Sequence, residues 1–295
     1  MEIRIKNKTP KELTDYWDNR APKGVCYRGE VFYTTTPLPL YIKRRNWLLS
    51  KTEEEIKKIY TSGGRLMVLD FGCGDGFYSV WLTQKFPDLQ VFGCDLSHKM
   101  IESAVNRANI KQCKINFKVA DSAIPFDTKF DVILVFAVLA HIMDDNILDS
   151  VIKDLNHRLK PQGRLLVFEQ TASKARYGKT WFRRSEKDYE SKFNKVGLSI
   201  KSKFTIEYPF FWIVHNPVKG VLGIIINKIL RMYKKEKNYN FNQVNIYLLI
   251  CEILMKLSPI FDGKLVKQKN NMSNTLFILT HESSNNSKNI VNSYE

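Results

Sequence analysis

Apolar and polar positions alternate along this chain at two different periods, and the change between them marks out a repeating unit. Residues 66–70 form a short apolar run that leads into FGCGDG, after which Phe77, Val80 and Trp81 recur at helical spacing up to Pro87. This is the pattern of strand, tight turn and helix. The same unit follows twice more. A strand is expected at 90–94, with a helix starting near Ser97, a natural N-cap, and carrying Met100, Ile101, Ala104, Val105 and Ala108 on one face. A third strand at 115–119 leads through a loop to a buried run at 132–136. Ile147, Leu148, Val151, Ile152, Leu155 and Leu159 then share one helix face that stops before Pro161 and Gly163, and residues 164–168 complete the set.

Strands alternating with helices predict an α/β fold, a Rossmann-like doubly wound sheet of parallel strands with helices on both faces. Beyond it, Ser185 and Asp188 have capping-box spacing at the start of a helix that ends at Gly197. The strand at 198–206 finds its partner in TLFILT, 275–280, which gives a C-terminal antiparallel hairpin. Residues 207–273 are then an insertion, an inserted helical cap rich in apolar helices interrupted by lysines. The first 60 residues read as helix, loop and helix, with the prolines of TTTPLPL (34–40) keeping that segment from being helical. Four parts result: an N-terminal lid at 1–60, a core at 61–206 and 274–282, the insertion at 207–273, and a disordered tail at 283–295.

The glycine loop carries the first chemical signal. Gly72, Gly74 and Gly76 permit a turn closed to other residues and let a ligand approach the main chain at a helix N-terminus. A dinucleotide fingerprint would place its third glycine where Phe77 stands, and no Lys-Ser or Lys-Thr pair follows to make a phosphate loop. An acidic residue before the first glycine, Asp70, and another at the end of the next strand, Asp95, fit a different ligand. A carboxylate at that second position can accept from both hydroxyls of a ribose.

In order and spacing, DFGCGDG (70–76), CDLS (94–97), ADSAIPF (120–126), FDVILVFAVLAHI (130–142) and LKPQGRLLVFEQ (159–170) resemble the class I S-adenosylmethionine-dependent methyltransferases. The resemblance spans roughly residues 65–172. It implies S-adenosyl-L-methionine as cofactor, with Gly72 and Gly74 facing its methionine part and Asp70 holding the ammonium directly or through water. Asp95 would bind the ribose, Leu96 would pack on adenine, Asp121 and Ser122 would meet the adenine amino group, and the Phe136 carbonyl would accept from the ammonium. His141, just past the fourth strand, is the candidate general base, with pocket shaping as its other reading. Tyr16, Trp17, Tyr27, Tyr33, Tyr208 and His215 are candidates for substrate contact.

Composition sharpens this in three places. The net charge of +16 is uneven: 13 basic and 8 acidic residues over 1–60, 12 and 13 over 61–172, and 21 and 9 over 173–295. The cofactor core is neutral and the flanks are basic, so an anionic small-molecule acceptor is expected, such as a nucleotide-linked or phosphorylated sugar. RNA methylation and a SAM-binding scaffold without catalysis are the alternatives. Next, the five cysteines have no CxxC pair and the five histidines no paired ligand spacing, so no metal is expected; Asp144, Asp145 and Asn146 suit a helix start. Finally, MEIRIKNKTP lacks an apolar stretch and no run approaches the ~20 residues that span a bilayer. A cytoplasmic protein is expected, with the insertion serving as a cap, a homodimer face or a peripheral contact with the inner membrane face.

Overall fold

The computed structural model describes residues 10–21, 25–27, 30–32, 38–60, 65–120, 123–178, 180–206, 272–281 and 291–294. The chain separates into two compact units. The first comprises Met1–Tyr33, Lys51–Ile206 and Asn271–Glu295, and the second Thr34–Ser50 and Glu207–Asn270. The first unit holds the sheet and all the chemistry below. Residues 34–50 thus group with the insertion rather than with the rest of the expected lid.

In chain order the elements are helix α1 (Pro10–Arg20), the short strands β1 (Val25–Tyr27) and β2 (Glu30–Phe32), and helix α2 (Leu38–Ile59). The repeating core follows with β3 (Met67–Phe71), α3 (Phe77–Lys85), β4 (Gln90–Asp95), α4 (His98–Ile110), β5 (Asn116–Val119), β6 (Phe130–Phe136), α5 (Asp145–Arg158) and β7 (Leu159–Ala172). Then come β8 (Arg176–Tyr177), β9 (Phe182–Arg183), α6 (Glu186–Asn194), β10 (Leu198–Ile206), β11 (Met272–His281) and β12 (Val291–Tyr294). Among the described residues, no helix is long and apolar enough to cross a membrane.

The main sheet runs β12-β10-β11-β7-β6-β3-β4-β5. Strands β3 to β7 are mutually parallel, and β11 lies antiparallel between β7 and β10, closing the expected hairpin. The chain winds outward from β3 through β4 to β5, then crosses back to β6 and continues to β7. The switch point therefore falls between β3 and β6, where ligands of doubly wound sheets enter at the carboxyl ends of the strands. The core follows the sequence pattern. Central β6 is covered on both faces and buries Phe130, Val132, Ile133, Leu134 and Val135, whereas edge strand β5 has alternate exposed positions.

Local signals place most helix ends. The Ser97 side chain accepts from the Met100 amide at 3.1 Å and starts α4. Ser185 and Asp188 form a complete capping box, each side chain accepting from the other's backbone, and Gly197 at φ +80° ends that segment.

Four expectations are corrected. Helix α2 begins at Leu38, inside the segment 34–40 that its prolines were expected to keep from being helical, and runs across Pro39, which the first turn tolerates because its amide would be unpaired there anyway. The loop after α1 contains the β1–β2 hairpin. Val105 and Ile147, assigned to buried helix faces, are 42% and 44% exposed, because each helix buries a narrower stripe than its full apolar set. Residues 291–294 of the tail expected to be disordered pair in parallel with β10. The insertion, apart from the start of β11 at Met272, lies outside the described residues, as do Tyr33, Asp121, Ser122, Tyr208 and His215 and the side chain of Tyr27.

Candidate functional site

The three glycines of the loop after β3 have different reasons for being glycine, although all three have positive φ, from +54° to +74°. A Cβ on Gly72 would lie 2.3 Å from Val138 Cγ2, and one on Gly76 2.9 Å from the Ala104 Cβ. At Gly74 it would meet nothing within 4 Å. Gly74 alone of the three borders open space, so it is the place where a ligand can reach the main chain. Gly72 is held instead by the turn after β6.

The loop is rigid on its inner side. The Gly72 and Cys73 amides both donate to the Cys94 carbonyl at 2.8 and 2.9 Å, and Arg107 of α4 grips Asp75 through its carboxylate and carbonyl. Asp70 is 2% exposed and accepts from Ser79 Oγ at 2.6 Å, which ties the end of β3 to the first turn of α3. Burial pushes its carboxyl up to about 7. It is an interior acid that a cationic ligand group would ionise.

Asp95 ends β4 with Oδ2 accepting from the Gly74 amide at 2.9 Å and Oδ1 from the Ser97 amide at 3.0 Å. Burial raises its pKa against the lowering effect of those two bonds, and Asp18 adds to the rise. Leu96, half-buried, comes next in the chain. Helix α1 reaches this corner. Asp18 accepts from Ser97 Oγ and, at 3.3 Å, from the Lys99 amide, so the N-terminus of α4 is shared between its own cap and the first helix.

The same helix reaches His141. Trp17 stands edge-on to the imidazole, with ring centroids 4.9 Å apart and planes at 87°, and Tyr16 stacks edge-on to Trp17 at 5.1 Å. His141 closes a short 3-10 turn, Leu139–His141, just past β6. Its Nδ1 lies 2.7 Å from the Thr180 carbonyl. A carbonyl only accepts, so Nδ1 carries the proton, and in the neutral ring Nε2 is the basic nitrogen. Phe136, at the end of β6, packs edge-on against Tyr78 at 5.0 Å.

Three residues absent from the sequence reading hold the His141 turn. Ala137 sits at φ +60°, unusual for a residue with a side chain. Glu169 of β7, 1% exposed, accepts from the Val138 and Leu139 amides at 2.8 and 2.6 Å, and so caps the turn at its positive end. Burial pushes this carboxyl up to about 8, against those hydrogen bonds and the Arg184 charge. Arg184, also 1% exposed, donates to the Ile142 carbonyl at 3.0 Å just past the turn and pairs with Asp145. A buried carboxyl thus clamps one end and a buried guanidinium the other. The one hint in the sequence is an acidic residue ending the apolar run LLVFE.

Of the acidic trio at 144–146, Asp144 caps α5 by accepting from the Asn146 and Ile147 amides at 2.8 and 3.1 Å, and Asp145 takes the Arg184 and Lys192 charges.

Residues 68–163 match the family model described as a methyltransferase domain. Phosphoethanolamine N-methyltransferase 1 of Arabidopsis thaliana is 35% identical over 127 residues, 42% of this chain and 25% of that protein. The ubiquinone biosynthesis O-methyltransferase of Pelagibacter ubique is 29% identical over 165 residues, 54% of this chain and 61% of that protein. The chain spans about a quarter of the phosphoethanolamine relative's length. An O-methyltransferase from a trans-AT polyketide synthase of Brevibacillus brevis, solved with S-adenosyl-L-homocysteine, superposes with TM-score 0.50 at 18% identity over 75% of this chain and 68% of that one. Phosphoethanolamine N-methyltransferase 2 of Haemonchus contortus gives 0.50 at 17% identity over 79% and 52%. These two superpositions concern the fold.

Proposed function

We propose that this chain, whose residues 68–163 match the methyltransferase-domain model, is a class I S-adenosylmethionine-dependent methyltransferase that O-methylates a small anionic acceptor such as a nucleotide-linked or phosphorylated sugar. One observation carries the reading. At the switch point of the sheet, the open backbone of Gly74, the Asp95 carboxylate and the His141 imidazole are set at the ends of β3, β4 and β6, with Trp17 of α1 on the imidazole.

The residues fit the cofactor: open space over Gly74 adjoins Asp95, and the interior acid Asp70 suits a nearby ammonium. When bound, S-adenosylmethionine supplies a methyl group activated on a sulfonium. In this reading Asp95 accepts from the ribose hydroxyls and Leu96 packs on adenine. Asp121 and Ser122 meet the adenine amino group, and Asp70 and the Phe136 carbonyl face the ammonium. His141, proton on Nδ1, takes the acceptor hydroxyl's proton at Nε2 as the methyl arrives. Tyr16 and Trp17 wall the acceptor side, exclude water and fix the in-line approach that such a transfer needs.

The relatives' names divide between nitrogen and oxygen as the methylated atom. A fixed, neutral imidazole suits a hydroxyl, which must shed its proton as it reacts. The phosphoethanolamine relatives support a phosphate-bearing acceptor. The test is calorimetric titration with S-adenosylhomocysteine, then a methyl-transfer screen of sugar nucleotides, phosphorylated metabolites and RNA. Turnover on the phosphorylated small molecules is expected. Turnover confined to RNA would replace the acceptor class, and absence of cofactor binding would remove the reading.

A further inference from the structure

We propose that Glu169 is a positioning residue for the methyl transfer: by holding Val138 it fixes the His141 turn against the glycine loop, and so sets where the base stands relative to the cofactor. The inference rests on the methyl-transfer reading, which supplies both the base and the cofactor.

The need for such a residue begins in the sheet. Strands β6 and β7 pair up to Phe136 and Phe168, and the Ala137 amide adds one more bond, to the Phe168 carbonyl at 2.8 Å. There the ladder ends. Ala137 turns left-handed at φ +60°, and Val138 returns to the right-handed side at φ −109° and ψ −51°. Successive amides in that alternation form a concavity that takes up an oxygen. The next residue of β7 supplies it. Glu169 Oε1 accepts from both the Val138 and the Leu139 amides, at 2.8 and 2.6 Å.

The hold passes to His141 through the main chain. The two residues whose amides Glu169 takes offer their carbonyls onward, Val138 to the His141 amide at 2.9 Å and Leu139 to the Ile142 amide at 3.1 Å. Arg184 then takes the Ile142 carbonyl at 3.0 Å. The ring itself is tied at Nδ1 to the Thr180 carbonyl. An imidazole tied at Nδ1 swings its Nε2 when its own backbone moves, so the direction of the basic nitrogen follows the turn.

The hold also reaches the cofactor side. Val138 Cγ2 lies where a Cβ on Gly72 would come within 2.3 Å, so the valine side chain rests on the main chain of the glycine loop. Val138 is therefore bonded to Glu169 by its amide, bonded to His141 by its carbonyl, and packed on the loop by its side chain. Misplacing a reacting group by about 1 Å can cost about a hundredfold in rate. Glu169 keeps the base within that tolerance.

The oxygen, rather than a charge, is what the turn requires. Burial pushes the Glu169 carboxyl up to about 8, so at neutral pH it is mostly protonated while Oε1 still accepts. Glutamine offers an oxygen at the same reach. Aspartate withdraws it by about 1.5 Å, which takes both bonds out of range unless the turn moves.

The test uses the full chain with nitrogen-15 in its histidines, with and without S-adenosylhomocysteine, and assigns the His141 signals by their loss in His141→Ala. It reads the ring tautomer and the exchange rate of the Nδ1 proton by NMR. The wild type holds the proton on Nδ1, and Glu169→Gln keeps that pattern. Glu169→Asp and Glu169→Ala populate both tautomers and exchange the Nδ1 proton about tenfold faster or more, the worth of one hydrogen bond. Wild-type His141 signals in both variants, with only a lower unfolding midpoint, overturn the positioning role and leave a structural cap. An equal change in Glu169→Gln also overturns it, because the oxygen would then not be what matters. Should the alanine variant not fold, the contrast between aspartate and glutamine decides. S-adenosylhomocysteine titration of the same samples separates the two levels. If the wild type fails to bind it, the methyl-transfer reading falls and takes the inference with it. If it binds and the His141 signals ignore residue 169, the positioning role alone falls.

Discussion

The ends of β3 and β4 and the ends of β6 and β7 belong to one sheet, yet they are held in opposite ways. On the first side, the shape comes from the main chain. Positive-φ glycines make the turn, amides of residues 72–74 are tied to Cys94 and Asp95, and the carboxylates act within a few residues of their strands or the next helix. On the second side, the shape comes from buried polar side chains. Glu169 and Arg184 reach from elsewhere in the chain to opposite ends of the turn that carries His141. A site of the first kind tolerates changes of side chain but not of backbone freedom. A site of the second kind depends on keeping each buried donor matched to its acceptor.

The sharpest way to break that contrast is Glu169→Ala. It leaves two buried amides without their acceptor, at about 1–3 kcal/mol each, so unfolding free energy falls by about 3–5 kcal/mol. Glu169→Gln, which keeps an acceptor, loses less. Denaturant unfolding checks both, and a fully stable alanine variant would mean that the clamp is not needed. Gly72→Ala comes next, at about 3 kcal/mol, because positive φ and a 2.3 Å approach to Val138 add. Gly74→Ala should cost only about 1–2 kcal/mol of stability, from φ alone, while weakening S-adenosylhomocysteine binding. A reversed order of the two would move the open space from Gly74 to Gly72.

His141→Ala should lower turnover about a hundredfold or more while cofactor affinity stays near that of the wild type. Single-turnover rates and calorimetry together test this, and loss of cofactor affinity would make the histidine a pocket wall. Asp95→Ala should weaken S-adenosylhomocysteine about tenfold, roughly 1.4 kcal/mol.

The last effect is one of pH. Asp70 is held at about 7, far above an unfolded carboxyl, because burial disfavours its charge. The folded state therefore binds the extra proton, and the stability of the ligand-free protein falls as pH rises from about 4 to 7, with Glu169 extending the fall to about 8. A ligand ammonium favours the ionised acid. Cofactor binding should then release a proton near pH 6–7 and tighten a few-fold from pH 6 to 8, read by calorimetry in buffers of different ionisation enthalpy. A flat profile would separate Asp70 from the ligand.

The two sides also differ in how far they could be read in advance. Asp70, the glycine loop, Asp95, the Ser97 cap and the Ser185–Asp188 box are visible because each acts within one strand–turn–helix unit or on the next, and spacing along the chain records such contacts. The packing constraint on Gly72 is hidden for the same reason. Spacing shows that a glycine is needed, but the atom that needs it, Val138 Cγ2, lies 66 residues away in the chain. Glu169, Arg184 and Thr180 carry no such local signal. Their partners stand 30 to 42 residues off. Trp17 was among the expected aromatic contacts, but that its partner would be His141 required the fold.

By itself, then, the sequence determined the order of strands and helices, the turn chemistry that opens a ligand-sized approach at the carboxyl end of β3, and the carboxylates beside it. These follow from period, from permitted backbone angles and from capping, which are properties of neighbouring residues. Only the tertiary structure decided which residues clamp the His141 turn, which glycine faces open space, and which backbone carbonyl holds the imidazole. Those depend on strand order and register. Sheet pairing sets them through the burial of whole faces, and no short stretch of sequence contains that information.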